Sequence, residues 1–255
     1  MRLLPIPALN DNYIWLLADP SGNALVVDPG EAAPVIEVIR QQNLRLRAIL
    51  LTHHHPDHIG GVPELLELGS ASVHGPDDSR IDHVTHCVGD GDSIVLDSPA
   101  STFTVIAVPG HTRSHIAYYG NGLLFSGDTL FSVGCGRLFE GSPTQMLDSL
   151  EKLARLPGNT RVCCGHEYTV ANCIFAKAIE PENTSLAARM EEAQRLRANG
   201  LPTVPSLLSD ELACNPFLRI DVSSVIAGLG PEVQDSADRV ARFAALRAQK
   251  DSFRA

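Results

Sequence analysis

Short apolar runs rich in Val, Ile and Leu recur through the first two thirds of the chain, and Gly, Pro, Asn or Asp ends most of them. Runs of this length with such stops are typical of buried β-strands rather than of helices. The pattern predicts strands over residues 24–28, 46–52, 103–108, 123–126 and 161–164.

Segments with a helical composition lie between these strands and dominate after about residue 168. The clearest begins at Ser142, with Pro143 at the first helical position, Gln145 placed to complete a capping box, and Pro157-Gly158 as a stop. Further helices are predicted over residues 34–42, 63–68, 169–179, 185–199 and 236–249. The change in character predicts a mixed α/β domain over 1–169 and a helical domain over 170–255.

Composition narrows the class of protein. The 255 residues are 44% hydrophobic and 20% charged, which is ordinary for a soluble globular chain, and no apolar run approaches the ~18 residues of a membrane span. Pro5 and Pro7 interrupt the N-terminus where a signal peptide needs an apolar core, so we expect an untargeted, cytoplasmic protein. The net charge of −10 argues against a nucleic-acid binder.

The six cysteines form no C-x-x-C pair, and we expect small, buried, reduced residues.

The strongest chemical signal is the segment T-H-H-H-P-D-H at residues 52–58, which contains four of the ten histidines. Neutral imidazole and carboxylate groups suit Zn, Fe and Mn. Alternate residues of an extended backbone point the same way, so His53 and His55 can share one metal ion. Asp57 and His58 follow the bend at Pro56 and can face a second ion.

Further ligands must come from elsewhere, and three polar residues follow later strands in the same manner. They are His111 after F-T-V-I-A-V-P-G, Asp128 after L-L-F-S-G and His166 after R-V-C-C-G. Ligands at strand ends, on loops held by a rigid sheet, fit a site at one rim of a β core. Asp128 is the natural bridge between two ions because a carboxylate has two oxygens.

Other polar residues give weaker signals. His54, His115 and Asp28 stand near the candidate ligands, and His115 either orients a ligand or is a structural histidine. The histidines of the stretch 74–86 lie in a polar segment, and we expect them to be solvated; they are His74, His83 and His86.

Several motifs together resemble a known family. T-H-H-H-P-D-H with Gly60-Gly61, P-G-H-T, S-G-D-T-L-F and C-G-H-E-Y are similar to the metallo-β-lactamase superfamily. More narrowly, G-C-G-R-L-F-E-G (134–141), G-H-E-Y-T (165–169), N-P-F-L-R (215–219) and R-A-Q-K-D-S-F (247–253) resemble the glyoxalase II, or hydroxyacylglutathione hydrolase, family. The resemblance covers nearly the whole chain. It implies an αββα sandwich with a C-terminal helical domain and two metal ions at one edge.

The resemblance also implies roles for particular residues. Two divalent ions are implied, with Zn expected first and Fe or Mn as alternatives. The implied ligands are His53, His55, His111 and Asp128 for the first ion, and Asp57, His58, His166 and Asp128 for the second. Asp57 and Asp128 are the implied catalytic residues. The implied glutathione site comprises Arg137, Phe139, His166, Tyr168, Arg247 and Lys250. Some family members carry Tyr where this chain has Phe139, which can only pack against a substrate because it has no hydrogen-bond donor.

The C-terminal residues fit an anionic ligand on their own terms. The segment 239–254 contains five basic residues and one acid, Asp251. The basic residues are Arg239, Arg242, Arg247, Lys250 and Arg254. Arg and Lys pair with the carboxylates that glutathione carries. The alternative is an amphipathic helix with a solvated basic face.

The expected activity is hydrolysis of S-(2-hydroxyacyl)glutathione, such as S-lactoylglutathione, to D-lactate and glutathione in methylglyoxal detoxification. A hydroxide held by the two metal ions is the expected nucleophile. We expect a monomer that binds a glutathione thioester, with neither nucleic acid nor membrane as partner. The alternatives are a single-iron glutathione persulfide dioxygenase, a lactonase or β-lactamase on the same scaffold, and a metal-binding module without activity.

Overall fold

The computed structural model describes residues 1–234, 236 and 238–254. The strands are β1 Arg2–Ala8, β2 Asn12–Ala18, β3 Asn23–Val27, β4 Arg45–Leu50, β5 Ser72–Gly75, β6 His86–Cys87, β7 Ser93–Asp97, β8 Ala100–Ala107, β9 Ile116–Gly120, β10 Leu123–Gly127, β11 Leu130–Phe131, β12 Gly134–Cys135, β13 Arg161–Cys164 and β14 Ser206–Leu207. The helices are α1 Ala33–Gln41, α2 Pro56–Ile59, α3 Val62–Leu66, α4 Pro143–Ala154, α5 Thr169–Ile179, α6 Thr184–Ala198, α7 Leu208–Cys214, α8 Ser223–Ala227, α9 Pro231–Gln234 and α10 Arg239–Ser252, with a 3-10 turn at Pro216–Leu218.

The chain divides into two compact units, each assembled from several segments. The first contains Met1–Ala107, Ser114–Gly127 and Cys163–His166. The second contains Val108–Arg113, Asp128–Val162 and the described residues from Glu167 onward. The domain boundary at residue 169 expected from composition stays a prediction.

The first unit contains a six-stranded mixed sheet in the order β1-β2-β3-β4-β5-β6. β1 and β2 pair antiparallel through Arg2↔Ala18 to Ala8↔Asn12, and the pairs from β3 to β6 are parallel. Every residue of β2 and β3 is buried, as expected for strands covered on both faces. Val35 and Ile39 of α1 and Val62 and Leu65 of α3 pack into the core on this sheet.

A second sheet of the first unit is antiparallel and runs from β10 through β9 and β8 to β7. Tyr118 of β9 is fully buried and donates its hydroxyl to the carbonyl of Leu51, 2.7 Å away. Burial raises the pKa of this phenol well above its usual value. The contact joins β9 of this sheet to the residue that follows β4, where the histidine-rich segment begins.

The second unit consists mainly of helices, with β14 paired antiparallel to Arg161 and Val162 of β13. Helix α4 has the expected start: the Ser142 side chain accepts from the Gln145 amide, Gln145 returns the contact, and Pro143 is the first helical residue. Leu130–Phe131 and Gly134–Cys135 pair as a short β-hairpin. This 130–135 hairpin joins Asp128 to the predicted glutathione-binding segment.

The predicted strands and helices are present, with bounds that differ by a few residues. The last helix is displaced by three residues from its predicted range and begins at Arg239, because the carboxylate of Asp238 caps the amides of Val240 and Ala241. Part of that prediction, Ala237, lies outside the described residues. The predicted strands correspond to β3, β4, β8, β10 and β13. No range was predicted for β1, β2, β5, β7 or β9, nor for the two-residue strands β6, β11, β12 and β14, since two residues carry no period.

All six cysteines are free thiols, as expected, and the expected burial is confirmed for five of them but wrong for Cys87, which is exposed. The expectation of solvated histidines is wrong for His74, which is 8% exposed, because it belongs to β5 and stacks on His86 at 4.6 Å. Burial lowers the pKa of His74 to about 4. Among the described residues, no helix is long and apolar enough to cross a membrane.

Candidate metal centre and substrate site

The histidine-rich segment leaves β4 in extended backbone and turns into a single helical turn. His55 has extended backbone angles at the N-cap of α2, and Pro56 occupies the first helical position. The chain passes very close to Gly30 here, since a Cβ on that residue would lie 2.0 Å from the carbonyl oxygen of Asp57. Glycine at this position is therefore required for the approach that sets Asp57 and His58.

Asp57, His58 and His166 form the clearest ligand group of the first unit. One ligand atom from each lies within 4.8 Å of the others. Oδ2 of Asp57 is 3.5 Å from Nε2 of His58 and 3.5 Å from Nε2 of His166. Both histidines are buried, and Asn12 donates its side-chain amide to the same carboxylate oxygen of Asp57 at 3.0 Å.

The other ring nitrogen of each histidine in this group contacts a carboxylate. Nδ1 of His166 lies 2.7 Å from Oδ1 of Asp11, and Nδ1 of His58 lies 3.1 Å from Oδ2 of Asp28. A carboxylate on Nδ1 selects the tautomer that carries its proton there and directs the Nε2 lone pair toward a metal. The rings are therefore set for coordination through Nε2.

His53 and His55 form a second pair in the same unit, with Nε2 and Nδ1 respectively 3.1 Å apart. Nδ1 of His53 contacts the hydroxyl of Thr52 at 3.0 Å, and that hydroxyl donates to Oδ2 of Asp28 at 2.7 Å. Since the hydroxyl donates to the carboxylate, it accepts from Nδ1 of His53, so Nε2 is the atom of this ring that could coordinate a metal ion. His115 stacks on the His53 ring with centroids 4.5 Å apart.

Asp28, a weak signal in the sequence, supports this network. Its side chain is buried and accepts from the amide and the hydroxyl of Thr52, at 2.8 and 2.7 Å, and contacts His58. Its oxygens could join His53 and His58 in a ligand group. Because both oxygens already hold partners that orient the histidines, we interpret Asp28 as a supporting carboxylate rather than a ligand.

The second unit brings together His111 and Asp128. Nε2 of His111 is 3.4 Å from Oδ2 of Asp128, and both residues are buried. Nδ1 of His111 lies 2.9 Å from the carbonyl oxygen of Arg137, so the proton is on Nδ1 and Nε2 is the atom that could coordinate a metal ion.

These spacings suit divalent cations. Nitrogen and oxygen ligands bind zinc at about 2.0–2.2 Å in tetrahedral sites, which separates neighbouring ligand atoms by about 3.3–3.6 Å. The pairs Asp57–His58, Asp57–His166 and His111–Asp128 lie at 3.5, 3.5 and 3.4 Å. The donor set of imidazole nitrogens and carboxylate oxygens fits Zn, Fe and Mn alike.

The residues predicted to bind glutathione, all but His166 in the second unit, differ in exposure. Arg137, Phe139 and Tyr168 are exposed, and Phe139 is 63% exposed with its ring 5.2 Å from that of His111. Lys250 is half-buried: its ammonium donates to the carbonyl of Ala171 at 3.3 Å and lies 5.2 Å from the Phe175 ring centroid. Burial, then the neighbouring guanidinium groups, lower the pKa of Lys250 to about 8.

Arg247 is only 4% exposed and is held by protein groups. It donates to the carbonyl of Cys135 at 2.9 Å and pairs with Asp251 at 3.0 Å, and its guanidinium lies 5.1 Å from the Phe217 ring centroid. Asp251 also lies 3.7 Å from Nε of Arg137. One carboxylate therefore sits between two predicted glutathione-binding arginines.

Sequence reasoning missed Asp11, Asn12 and Thr52 as supports of the ligands. Asp11 and Asn12 precede β2 in the polar turn N-D-N, which looks like any loop between strands. Their proximity to His166 arises because Tyr13 donates its amide to the carbonyl of Gly165, and Asn12 forms a bridge with His166. No local pattern could have found this pairing.

Two family models match this chain. The model of the metallo-beta-lactamase superfamily matches residues 9–166, and the model of the hydroxyacylglutathione hydrolase C-terminus matches residues 167–253. A solved B3 metallo-beta-lactamase, BLEG-1, is 25% identical with a TM-score of 0.63 and covers 85% of this chain and 98% of its own. The solved ETHE1 from Myxococcus xanthus is 25% identical, with a TM-score of 0.63 and coverage of 96% and 98%. The fold is that of the metallo-beta-lactamase superfamily, with a C-terminal helical part.

A curated relative gives the narrower assignment. The hydroxyacylglutathione hydrolase of Xanthomonas campestris pv. campestris (strain B100) is 51% identical over 257 residues, which span 100% of both chains. The chain belongs to the hydroxyacylglutathione hydrolase family of the metallo-beta-lactamase superfamily. The fold and family inferred from the sequence motifs are thereby confirmed.

Proposed function

We propose that this protein hydrolyses S-(2-hydroxyacyl)glutathione thioesters, with S-lactoylglutathione as the substrate that the family name and the site favour. The products are the 2-hydroxy acid, D-lactate, and glutathione, as required for methylglyoxal detoxification. The full-length match to hydroxyacylglutathione hydrolases carries this proposal, because it includes the C-terminal part as well as the metal-binding motifs.

We further propose that two divalent cations bind the predicted ligands: His53, His55, His111 and Asp128 for one, and Asp57, His58, His166 and Asp128 for the other. When bound, such ions polarise a carbonyl oxygen and lower the pKa of a coordinated water. The spacings within each unit and the oxygen partners on Nδ1 of His53, His58, His111 and His166 support the assignment. Zinc is the proposed occupant, with iron or manganese as alternatives.

Protein groups prepare the ligands before any substrate binds. Asn12 holds the Asp57 carboxylate from one side, while Asp11 and Asp28 hold His166 and His58 in one tautomer. Fixed ligand orientation avoids a reorganisation cost during the reaction. The thiol of the leaving group has an ordinary pKa of ~8.5, so it can depart as the thiolate without a dedicated general acid.

The basic side chains are proposed to hold the glutathione portion. Arg137 is exposed and the half-buried Lys250 carries three donors, so both can pair with peptide carboxylates. The exposed phenol of Tyr168 can donate a hydrogen bond, and Phe139 can contact the ligand only by packing. Holding the remote part of the substrate positions its thioester and so contributes to catalysis.

The alternative activities have less support. A persulfide dioxygenase, a lactonase or a β-lactamase would share the superfamily fold, but the match of residues 167–253 is to the hydroxyacylglutathione hydrolase C-terminus. The oxygenase would contain one iron and consume oxygen, and either of the other hydrolases would prefer its own substrate over the thioester.

The experiment is an assay of purified protein with S-lactoylglutathione before and after treatment with a chelator, with metal content measured in parallel. We expect thioester cleavage, its loss on chelation, and recovery when zinc, iron or manganese is returned separately. Oxygen uptake with glutathione persulfide and lactone hydrolysis are measured beside it. Cleavage of either alternative substrate in preference to the thioester would overturn the proposal.

A further inference from the structure

The 130–135 hairpin has an unusual backbone conformation at its turn. Val133 has φ 57°, in the left-handed region, and is fully buried. A β-branched residue with this φ is a genuine outlier, because its side chain crowds the backbone. Such a conformation persists only when surrounding contacts determine it.

Buried side chains from the C-terminal helices supply those contacts. Oε2 of Glu211 in α7 accepts the amide of Val133 at 2.7 Å, and Glu211 is 0% exposed. The Asn215 amide donates to the carbonyls that flank the turn, at 3.2 Å for Phe131 and 3.0 Å for Gly134. Three further contacts come from α5, α6 and α10: Asn172 to the Ser132 carbonyl at 3.0 Å, Arg189 to the Ser132 hydroxyl at 3.1 Å, and Arg247 to the Cys135 carbonyl at 2.9 Å.

The hairpin returns the chain to the metal-ligand residues of the same unit. The amide of Gly136 donates to the carbonyl of Thr129 at 3.1 Å, and a Cβ on Gly136 would lie 1.9 Å from the carbonyl oxygen of Asp128. The next carbonyl, that of Arg137, accepts from His111. The conformation at Val133 therefore sets where Gly136 and Arg137 lie against Asp128 and His111.

We infer that Glu211 is a positioning residue for the thioesterase reaction, acting through the left-handed turn at Val133 on Arg137, His111 and Asp128. Asn215, the first residue of the N-P-F-L-R motif, supports the same turn. Both side chains are fully buried, so they act through their contacts with the turn and not by touching the substrate. The inference rests on the proposed function, since the affinity for a glutathione thioester is one of its readouts.

The test combines Glu211→Ala with Val133→Gly. Without the Glu211 acceptor, Val133 should leave the left-handed region, whereas glycine adopts φ 57° with little steric cost. At saturating metal, we expect Glu211→Ala to raise KM for S-lactoylglutathione at least fivefold. Val133→Gly alone is the reference for the double variant, and adding Glu211→Ala to it should change KM by no more than about twofold.

Glu180→Ala is the matched control. Glu180 is an equally buried carboxylate, 1% exposed, in the same unit, but its partners are Arg219, Ser224 and Asn183 rather than the hairpin. Its loss should lower the melting temperature without changing KM. Hydrogen exchange of peptides covering residues 130–137 should accelerate in Glu211→Ala and not in Glu180→Ala.

The outcomes separate this inference from the proposed function. Three results would each overturn the positioning role. The first is a KM that Glu211→Ala does not change, and the second is hydrogen exchange of residues 130–137 that accelerates as much in Glu180→Ala as in Glu211→Ala. The third is a KM that Glu211→Ala raises as much in the Val133→Gly background as in the wild-type chain. Failure of the wild-type protein to cleave the thioester would overturn the proposed function instead. Two other measurements would then decide the inference: hydrogen exchange of residues 130–137, and the affinity for glutathione measured by calorimetry. Should Glu211→Ala not fold, Asn172→Ala removes one hairpin contact and is tested in the same way.

Discussion

Oδ1 of Asp11 lies 2.7 Å from Nδ1 of His166, a contact that joins residues 155 positions apart in the chain. Asp11→Ala should therefore free the ring to rotate and change tautomer. Loss of such a carboxylate partner typically weakens metal affinity by about 10–100-fold. Competition with a chromogenic chelator, read as metal bound per chain at increasing chelator concentration, measures the change.

Asp82→Ala is the control for Asp11→Ala, because Asp82 is an exposed acid of the same unit. It should retain metal as tightly as the wild-type chain. Equal metal affinity in the Asp11 and Asp82 variants would show that the contact with His166 does not tune a ligand.

Asp128→Ala tests the proposed bridging carboxylate. Its Oδ2 lies 3.4 Å from Nε2 of His111, and one carboxylate is proposed to serve both ions. The variant should lose metal from both positions together with thioesterase activity, as measured by elemental analysis and the S-lactoylglutathione assay. Retention of two metal ions per chain would contradict the bridge.

Lys250 predicts a pH dependence of substrate affinity. Its pKa is lowered to about 8, so the ammonium is charged below that pH and neutral above it. Because only the cation attracts a glutathione carboxylate, KM should be constant below about pH 7 and rise severalfold as the pH passes through 8. Steady-state kinetics between pH 6 and 10 provide the measurement.

Two substitutions at position 250 isolate this effect from titration of the substrate. Lys250→Arg keeps a charge at all these pH values, so any rise in KM with pH that this variant still shows is caused by titration of the substrate. Lys250→Met should have a high KM throughout. A wild-type profile that matches Lys250→Arg would rule out the lysine as the titrating group.

Arg247→Ala tests whether this arginine supports the protein as well as the substrate. The side chain is buried and donates to the carbonyl of Cys135, so its removal leaves a buried acceptor without its partner. That loss typically costs about 1–3 kcal/mol of the free energy of unfolding. Denaturant unfolding should show this decrease in addition to a raised KM, whereas Lys250→Ala should raise KM with a smaller loss of stability.

Asp78 predicts a loss of stability in acid. Its carboxylate accepts from Arg80 and Ser114, and the hydrogen bonds with Arg80 hold its pKa well below the usual value of 3.8. A lowered pKa stabilises the fold at pH values above that of the unfolded carboxyl and ceases to do so as the pH falls through the folded value. Asp78→Asn should therefore lower the melting temperature at pH 7, and the difference from wild type should shrink progressively below pH 4. A difference that is the same at pH 7 and at pH 2 would contradict this.

Five of the strands and the helix that begins after Ser142 could be predicted because their information is local. The residues around Ser142 specify the start of a helix by their own hydrogen bonds. The apolar run that predicted β4 is likewise local, and the second half of that strand is buried at every position. The motifs also identified the superfamily and the family. The support of His166 by Asp11 could not be predicted, because the two residues meet only through strand pairing at Gly165.

The sequence by itself determined which chemical groups are available: imidazoles and carboxylates at strand ends, and a basic C-terminal segment. Tertiary structure alone decided which nitrogen of each histidine is directed to a ligand position, since that depends on Asp11, Asp28, Thr52 and the Arg137 carbonyl. It also decided that Arg247 is buried while Arg137 is exposed, although both are cations in family motifs. The physical reason is that hydrogen-bond direction and burial are properties of the folded surroundings, which a residue's type and spacing do not contain.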